Sequence, residues 1–287
     1  MIHYDFPLWR PPSEGDNLII QATLGCRYNH CSFCSMYKEK GYQARPLEAV
    51  LADIDQAARE WPAARRVFLA DGDAYNLPSD TLLAIADRLK QRFPALQRIS
   101  AYATPFNILA KTPGEIAALK AARLGLVYLG VESGADRMLK AIAKGSAKQM
   151  EAALARARET GLKVSATVIL GLGGQTHWRE HIEATAELIS RQPPTYLSTL
   201  QLVLDPAVAP GFLDRFGEPF LWQDDRGILQ ELRLLIERLT PSAPVIFRSN
   251  HASNALALAG TLPKDRDKLL AEIDGAHSLR PRWLRGL

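Results

Sequence analysis

Short runs of apolar and β-branched residues alternate along this chain with longer stretches whose apolar positions recur at helical spacing. Asn17–Leu24 (NLIIQATL) reads as a first strand, and Leu47–Trp61 follows with Leu47, Val50, Leu51, Ile54 and Ala58 on one helical face. Arg66–Ala70 is a second strand and ends in Asp71-Gly72-Asp73. Ser79–Phe93 reads as a helix with Ser79 as its cap, and Arg98–Ala103 as the third strand. Thr112–Ala122 is a helix opened by Thr112 and Pro113, a cap followed by proline at the first helical position. Val127–Val131 is the fourth strand, followed by helices Ala135–Ala143 and Ala147–Thr160, the latter closed by Gly161. Lys163–Leu170 is the fifth strand, ending in Gly171-Leu172-Gly173-Gly174, and His177–Arg191 is a helix. Tyr196–Leu204, helix Asp224–Leu239, strand Val245–Arg248 and helix Lys264–Ala276 complete the pattern.

Strands that alternate with helices of this length build parallel βαβ units. The expected fold is therefore α/β, a partial (β/α)6-type parallel barrel with a short C-terminal extension. Residues 1–16 form an N-terminal extension, 17–206 the barrel core, and 207–287 a region completing the barrel on its substrate side. Barrels of this type gather their chemistry at the C-terminal ends of the strands. Here those ends carry a cysteine loop, Asp71-Gly72-Asp73, Thr104, Glu132-Ser133, the glycines from 171 to 174, and Ser249-Asn250-His251.

Composition changes this picture little. The 287 residues are 47% hydrophobic and 23% charged, enough for a sizeable core. No apolar run reaches the ~20 residues of a membrane span, and MIHYDFPLWRPPSEGDN lacks the apolar region of a secretory signal. A cytoplasmic location is expected. The net charge of +4 is small, and Arg280, Arg282 and Arg285 read as a solvated tail, so nucleic acid is not indicated as a partner.

The cysteines change it more. Cys26, Cys31 and Cys34 are the only three, and they fall within nine residues, so they do not form a disulfide framework. Thiolates bind soft or borderline metals. One reading is a zinc-binding structural module completed by His30, although adjacent ligands chelate one ion poorly. The other is a [4Fe–4S] cluster, where three thiolates leave one iron open to a cofactor or substrate.

The segment Gly25-Cys26-Arg27-Tyr28-Asn29-His30-Cys31-Ser32-Phe33-Cys34, directly after a first strand, resembles the radical S-adenosylmethionine (SAM) superfamily. Its members commonly space the cysteines C-x3-C-x2-C with an aromatic residue before the last, as Phe33 is here. This chain has C-x4-C-x2-C, which would mark a subgroup. The barrel core resembles the coproporphyrinogen-oxidase-like and methylthiotransferase-like members. The resemblance implies that Cys26, Cys31 and Cys34 hold the cluster, and that Asp71, Gly72 and Asp73 occupy the place of the turn that holds the SAM amino group. It implies that Glu132 and Ser133, in Gly130-Val131-Glu132-Ser133, approach SAM, and that Arg158 pairs with its carboxylate. Leu170 and Gly171 match the turn beside adenine, and Thr167 or Ser165 would meet ribose.

The implied activity is reductive cleavage of SAM to a 5′-deoxyadenosyl radical that abstracts hydrogen from a substrate, as an oxidoreductase or transferase. Its electron donor would be a flavodoxin or ferredoxin. Substrate-side candidates are Tyr102, Asn250 and His251. No further cysteine is available for a second cluster, which disfavours methylthiotransferase chemistry. Neither an appended cobalamin domain nor a basic RNA-binding module is expected from this sequence, and a small-molecule substrate is the expectation. A carrier of SAM, cluster or haem without radical turnover is the alternative. His177 and His181, at i and i+4, read as a solvated helix face, and Trp61, Trp178, Trp222 and Trp283 as packing.

Overall fold

A computed structural model describes residues 2–277. The basic tail with Arg280, Arg282, Trp283 and Arg285 lies outside the described residues. The fold is α/β, with a mostly parallel central sheet of eight strands. They are β1 (Leu18–Gln21), β2 (Arg66–Ala70), β3 (Arg98–Ala103), β4 (Leu124–Glu132), β5 (Lys163–Leu170), β6 (Tyr196–Gln201), β7 (Val245–Arg248) and β8 (Ala259–Leu262). The helices are α1 (Leu47–Glu60), α2 (Ser79–Arg92), α3 (Pro105–Leu109), α4 (Pro113–Ala121), α5 (Asp136–Ala141), α6 (Ala147–Thr160), α7 (Gly174–Arg191), α8 (Ala209–Phe216), α9 (Asp225–Arg238) and α10 (Arg266–His277).

The chain divides into two compact units that interleave in sequence. The first gathers the chain up to Asn29, Met36–Leu129 and Arg156–Val164; the second gathers His30–Ser35, Gly130–Ala155 and the chain from Ser165. In the first unit β1, β2, β3 and the start of β4 pair in parallel in that order. Their outer faces bury Val67, Leu69, Ile99 and Ala101. Helix α2 follows the same logic. Leu82, Ile85, Ala86 and Leu89 recur at helical spacing and are almost completely buried, each large one contributing about 1.5–3 kcal/mol. On the opposite face of the strands, Phe68, Tyr102 and Tyr128 form an edge-to-face aromatic cluster.

In the second unit β5, β6 and β7 pair in parallel, and β8 returns antiparallel to β7. Strand β8 was not expected from the pattern, because Ala259–Leu262 (AGTL) is too short and too small to show a period. It carries the sheet past the six strands of the expected core. Helices α7, α9 and α10 pack side by side in this unit.

Two local expectations are corrected. Ser79 is the first residue of α2 rather than its cap, which is Pro78, and its hydroxyl donates to Glu115 at 2.6 Å. The first strand does not run unbroken to Leu24: Thr23–Leu24 turns aside and pairs antiparallel with Gln43–Ala44. The Thr112–Pro113 start of α4 is observed, reinforced by a capping box with Glu115.

Candidate functional site

In the first unit the cysteine loop leaves the short Thr23–Leu24 strand at Gly25. This residue has a φ of +64°, and a Cβ there would stand 2.5 Å from the Lys40 carbonyl oxygen and 2.8 Å from that of Gly41. Only glycine fits. Asp71, fully buried after β2, anchors the loop: its carboxylate accepts from the Gly25 amide at 3.0 Å and from Gln21 Nε2 at 3.0 Å, and pairs with Lys40 Nζ at 2.8 Å. Burial pushes the Asp71 carboxyl above its ordinary range, and Lys40, Gln21 and Gly25 oppose that push. Lys40 is itself held by the carbonyls of Asp5 and Pro7 and by the Asp5 carboxylate.

Gly72 donates its amide to Gly25 O at 3.1 Å. A Cβ on Gly72 would lie 2.6 Å from Tyr37 Cε2 and 3.0 Å from Cys26 Cβ. The turn therefore has room for Cys26 only because residue 72 has no side chain. Asp73 is buried and accepts from Asn107 Nδ2, while Asn107 in turn closes a capping box with Thr104 at the start of α3.

In the second unit Cys31 is buried and Cys34 half-buried. Their loop is pinned to the end of α5, where the Ser32 amide and hydroxyl donate to the carbonyls of Ile142 (3.1 Å) and Ala141 (3.2 Å). Glu132 ends β4 in the left-handed region, with a φ of +64°, a conformation that costs a non-glycine residue about 1–2 kcal/mol. Such strain persists where surrounding structure enforces it, often at functional positions. Its carboxylate faces Lys144 Nζ at 3.2 Å. Burial raises the Glu132 carboxyl, with Lys144 opposing. For Lys144, burial alone would lower the ammonium; the charges of Cys31, Glu132 and Cys34 outweigh it and hold the group well above the usual range. The second unit thus gathers two cysteines, an acid and a cation. Gly130 keeps the space, since a Cβ there would collide with Glu132 and stand 3.0 Å from Lys144 Nζ.

Ser133 turns away from this group. Its hydroxyl meets His181 Nδ1 at 2.8 Å, and His181 Nε2 lies 2.8 Å from the Ile169 carbonyl. A carbonyl only accepts, so Nε2 carries the proton, Nδ1 accepts from Ser133, and the ring is neutral. Burial pushes His181 down to about 4. The expectation that His181 faces solvent is corrected: it is fully buried, while His177 pairs with Glu218 at 2.5 Å. At the end of β5, Gly171 (φ +81°) donates its amide to the buried Glu231 at 2.6 Å, and Gln223 donates to the same carboxylate at 3.0 Å.

The remaining expected residues fall as follows. Phe33 is half-buried between Ser32 and Cys34, Thr167 is half-buried on the same face as Ser198 by strand register, and Leu170 is buried. Tyr102 belongs to the aromatic cluster of the first unit. Asn250 is exposed and His251 is half-buried, its Nδ1 at 2.8 Å from Ser253. Asn254 and Ser253 lock the end of β6 through Gln201 N and Thr199 O. Arg158 lies in the first unit. It is exposed in the last turn of α6, two residues before Thr160, whose carbonyl takes Lys120 at the far end of α4. That is the edge where strands begin. The sequence reading missed Lys40, Lys144, Tyr37 and Glu231, because no local motif marks a lysine or acid whose partner is distant in sequence.

The α/β chain thus carries three thiols on a loop after its first parallel strand and acids at the following strand ends, while no group of three His, Cys, Asp or Glu side chains among the described residues is arranged to hold a metal ion. The family model described as the Radical SAM superfamily matches residues 20–189, and the chain belongs to this superfamily. The family's enzymes use a [4Fe–4S] cluster and SAM, and they need an electron donor and a substrate. The chain is 25% identical to a tRNA-2-methylthio-N(6)-dimethylallyladenosine synthase of Actinobacillus succinogenes, over 63% of this chain and 39% of that one. It superimposes on coproporphyrinogen III oxidase (HemN) of Escherichia coli with a TM-score of 0.57 at 16% identity, covering 78% and 52% of the two chains. It also superimposes on the radical SAM methyltransferase TsrM of Kitasatospora setae, solved with cobalamin and a [4Fe–4S] cluster, with a TM-score of 0.53 at 20% identity, covering 64% and 36%. The chain spans well under half the length of the curated relatives it matches. No described helix is long and apolar enough to cross a membrane.

Proposed function

We propose that this chain is a radical SAM enzyme in which Cys26, Cys31 and Cys34 hold a [4Fe–4S] cluster, and that it acts on a small molecule in the cytoplasm. The observation that carries the reading is the group of Cys31, Cys34, Glu132 and Lys144 in the second unit. The Lys144 cation feels the charge of both cysteines and complements the negative charge that thiolates carry when they bind iron. Cys26, Cys31 and Cys34 would hold the cluster, which would supply the one-electron reduction that cleaves the sulfonium C–S bond of SAM.

The chain's own residues bind, orient and shield. Glu132, with one lysine as its partner, keeps acceptor capacity for the SAM amino group or ribose. Gly72 and Asp73 offer backbone and carboxylate at the other strand end, whereas Asp71 serves the loop itself. Gly171 and Leu170 would lie beside adenine, Thr167 would offer a hydroxyl to ribose, and Phe33, between Ser32 and Cys34 in the cysteine loop, would lie beside the cluster. Tyr102, Asn250 and His251 remain the substrate-side candidates, and a flavodoxin or ferredoxin the electron donor.

Anaerobic reconstitution with iron and sulfide, followed by reduction with dithionite in the presence of SAM, tests the reading. The expected result is a brown protein that releases 5′-deoxyadenosine. A colourless protein with one bound zinc would overturn it. A cluster that binds SAM without cleaving it would point to a carrier.

A further inference from the structure

Glu132 ends β4 in a backbone conformation that few non-glycine residues adopt, and the second unit shows what holds it there. The Ser133 amide donates to the Val131 carbonyl at 2.8 Å across Glu132, whose φ is +64°. A hydrogen bond between residues two apart, around a positive φ, marks the rarer and more strained form of γ-turn. Such a turn persists only where its two ends are fixed. Its start belongs to β4, and its far end is fixed by helix α7. The Ser133 hydroxyl donates to His181 Nδ1 at 2.8 Å, and the Gly134 amide donates to the Thr185 hydroxyl at 2.8 Å. The α7 backbone also presses on the turn, since a Cβ on Gly134 would stand 2.3 Å from the Ala184 carbonyl oxygen.

His181 reaches a second strand end as well. Its Nε2 donates at 2.8 Å to the carbonyl of Ile169, the residue before the Leu170-Gly171 end of β5. Thr185, one helical turn on, donates its hydroxyl to the His181 carbonyl at 2.6 Å, and the Ser133 hydroxyl accepts from the Ala135 amide at 3.0 Å. Ser133, His181 and Thr185 are each 0% exposed. Both ring nitrogens are used, and a buried polar network satisfied in this way rigidifies what it joins. Burial keeps the imidazole neutral at ordinary pH, so both bonds persist there. We infer that His181 is a positioning residue: by tying Ser133 and Ile169 to one imidazole, it fixes the β4 and β5 ends against each other and holds the turn that presents the Glu132 carboxylate. This rests on the proposal that Glu132 and the Leu170-Gly171 turn meet SAM. His181 itself touches no ligand; it sets the spacing between the acid and the edge that would lie beside adenine.

Hydrogen exchange of the full chain, with no cofactor added, reads the clamp, and equilibrium dialysis of SAM against the reconstituted protein reads its consequence. His181→Phe keeps a ring and removes both nitrogens. The Ser133, Gly134 and Ala135 amides should then exchange faster while those of β2 keep their wild-type protection, and SAM affinity should fall about tenfold. In a Glu132→Gln background the same substitution should cost no more than about twofold, because a positioning effect disappears with the group it positions. His181→Asn, whose amide oxygen stands near the place of Nδ1, should restore a partner to Ser133 and recover most of the affinity. His181→Gln, whose amide nitrogen reaches toward the Ile169 carbonyl instead, should not; this pair also serves if the Phe variant does not fold. Wild-type exchange at the three amides in His181→Phe, losses that multiply in full across the pair of substitutions, or equal affinities of the Asn and Gln variants would overturn the inference. A wild type that binds no SAM, or a Glu132→Gln variant that binds it as wild type does, would instead overturn the reading of Glu132 beneath it.

Discussion

Asp71 and Glu132 hold equivalent places in the two units, each a buried acid just past or at the end of a parallel strand with a lysine against it, yet their surroundings differ. Asp71 takes hydrogen bonds from Gln21 and Gly25 as well as the Lys40 ion pair. Among the described residues Glu132 has Lys144 as its one ion-pair partner, and it sits on a left-handed backbone. A carboxylate offers about four acceptor positions, so Asp71 is nearly saturated by its own loop while Glu132 retains capacity. The same residue chemistry at the same kind of place thus serves architecture in one unit and leaves a binding group in the other. Glu231 extends the series. It is fully buried, receives Gly171 N and Gln223 Nε2, and has no cation against it among the described residues. Its carboxyl accordingly rises to about 7 through burial, which those two donors oppose.

The largest effect should come from removing the cation of the saturated pair. Lys40→Met leaves the Asp71 carboxylate buried without its counter-charge, and urea denaturation should show a loss of about 3–5 kcal/mol. A loss below about 1 kcal/mol, the size of an exposed pair, would break the contrast by showing that Lys40 is not needed to hold Asp71.

Glu231 should make stability depend on pH. The folded protein keeps its proton up to about pH 7, whereas the unfolded chain releases it near 4.5, the ordinary glutamate value. Its contribution is therefore full below pH 4.5 and falls as pH rises through 7, by about 3 kcal/mol at 1.36 kcal/mol per pH unit. Glu231→Gln should flatten that limb in denaturation curves taken between pH 5 and pH 8. Equal slopes in the two proteins would show that Glu231 is not buried as an acid.

His181 should act with the opposite sign. It is held near 4 in the folded protein against 6.5 ordinarily, so its contribution is full above pH 6.5 and is lost as pH falls toward 4, again by about 3 kcal/mol. The same pH series run on His181→Gln separates this acid limb from the Glu231 limb. An unchanged acid limb would place the loss elsewhere.

The smallest effect on stability, and the sharpest on function, should come from Glu132→Gln. Lys144 is half-buried, so the loss of its partner should cost only about 1 kcal/mol, while SAM affinity of the reconstituted protein, read by equilibrium dialysis, should fall about tenfold, or 1.4 kcal/mol. Asp71→Asn should show the reverse order, with folding impaired more than SAM affinity per folded molecule. If the two variants behave alike, the difference between the pairs has no functional meaning.

Much of this was readable along the chain. The alternation of strands and helices, the strand ends rich in acids and glycines, and the cysteine loop are local patterns, set by side-chain period and chain order. They fix the α/β class and the family's motifs without any knowledge of contacts. Arg158 shows the limit: a basic residue before Gly161 reads as a ligand in one dimension, but the return path of α6 carries it to the edge where strands begin. His181 shows it too, for the polar face of an amphipathic helix is buried wherever another polar group, here Ser133, meets it.

What the sequence by itself determined is therefore the kind of protein and the place of its cysteines, since both follow from periodicity and from three thiols within nine residues. What only the tertiary structure decided is the division of labour among the acids. Asp71, Glu132 and Glu231 are alike as letters, and what separates them is burial and the number of donors and cations that residues far along the chain bring to each. Desolvation and charge pairing depend on distance in space, which local sequence does not encode.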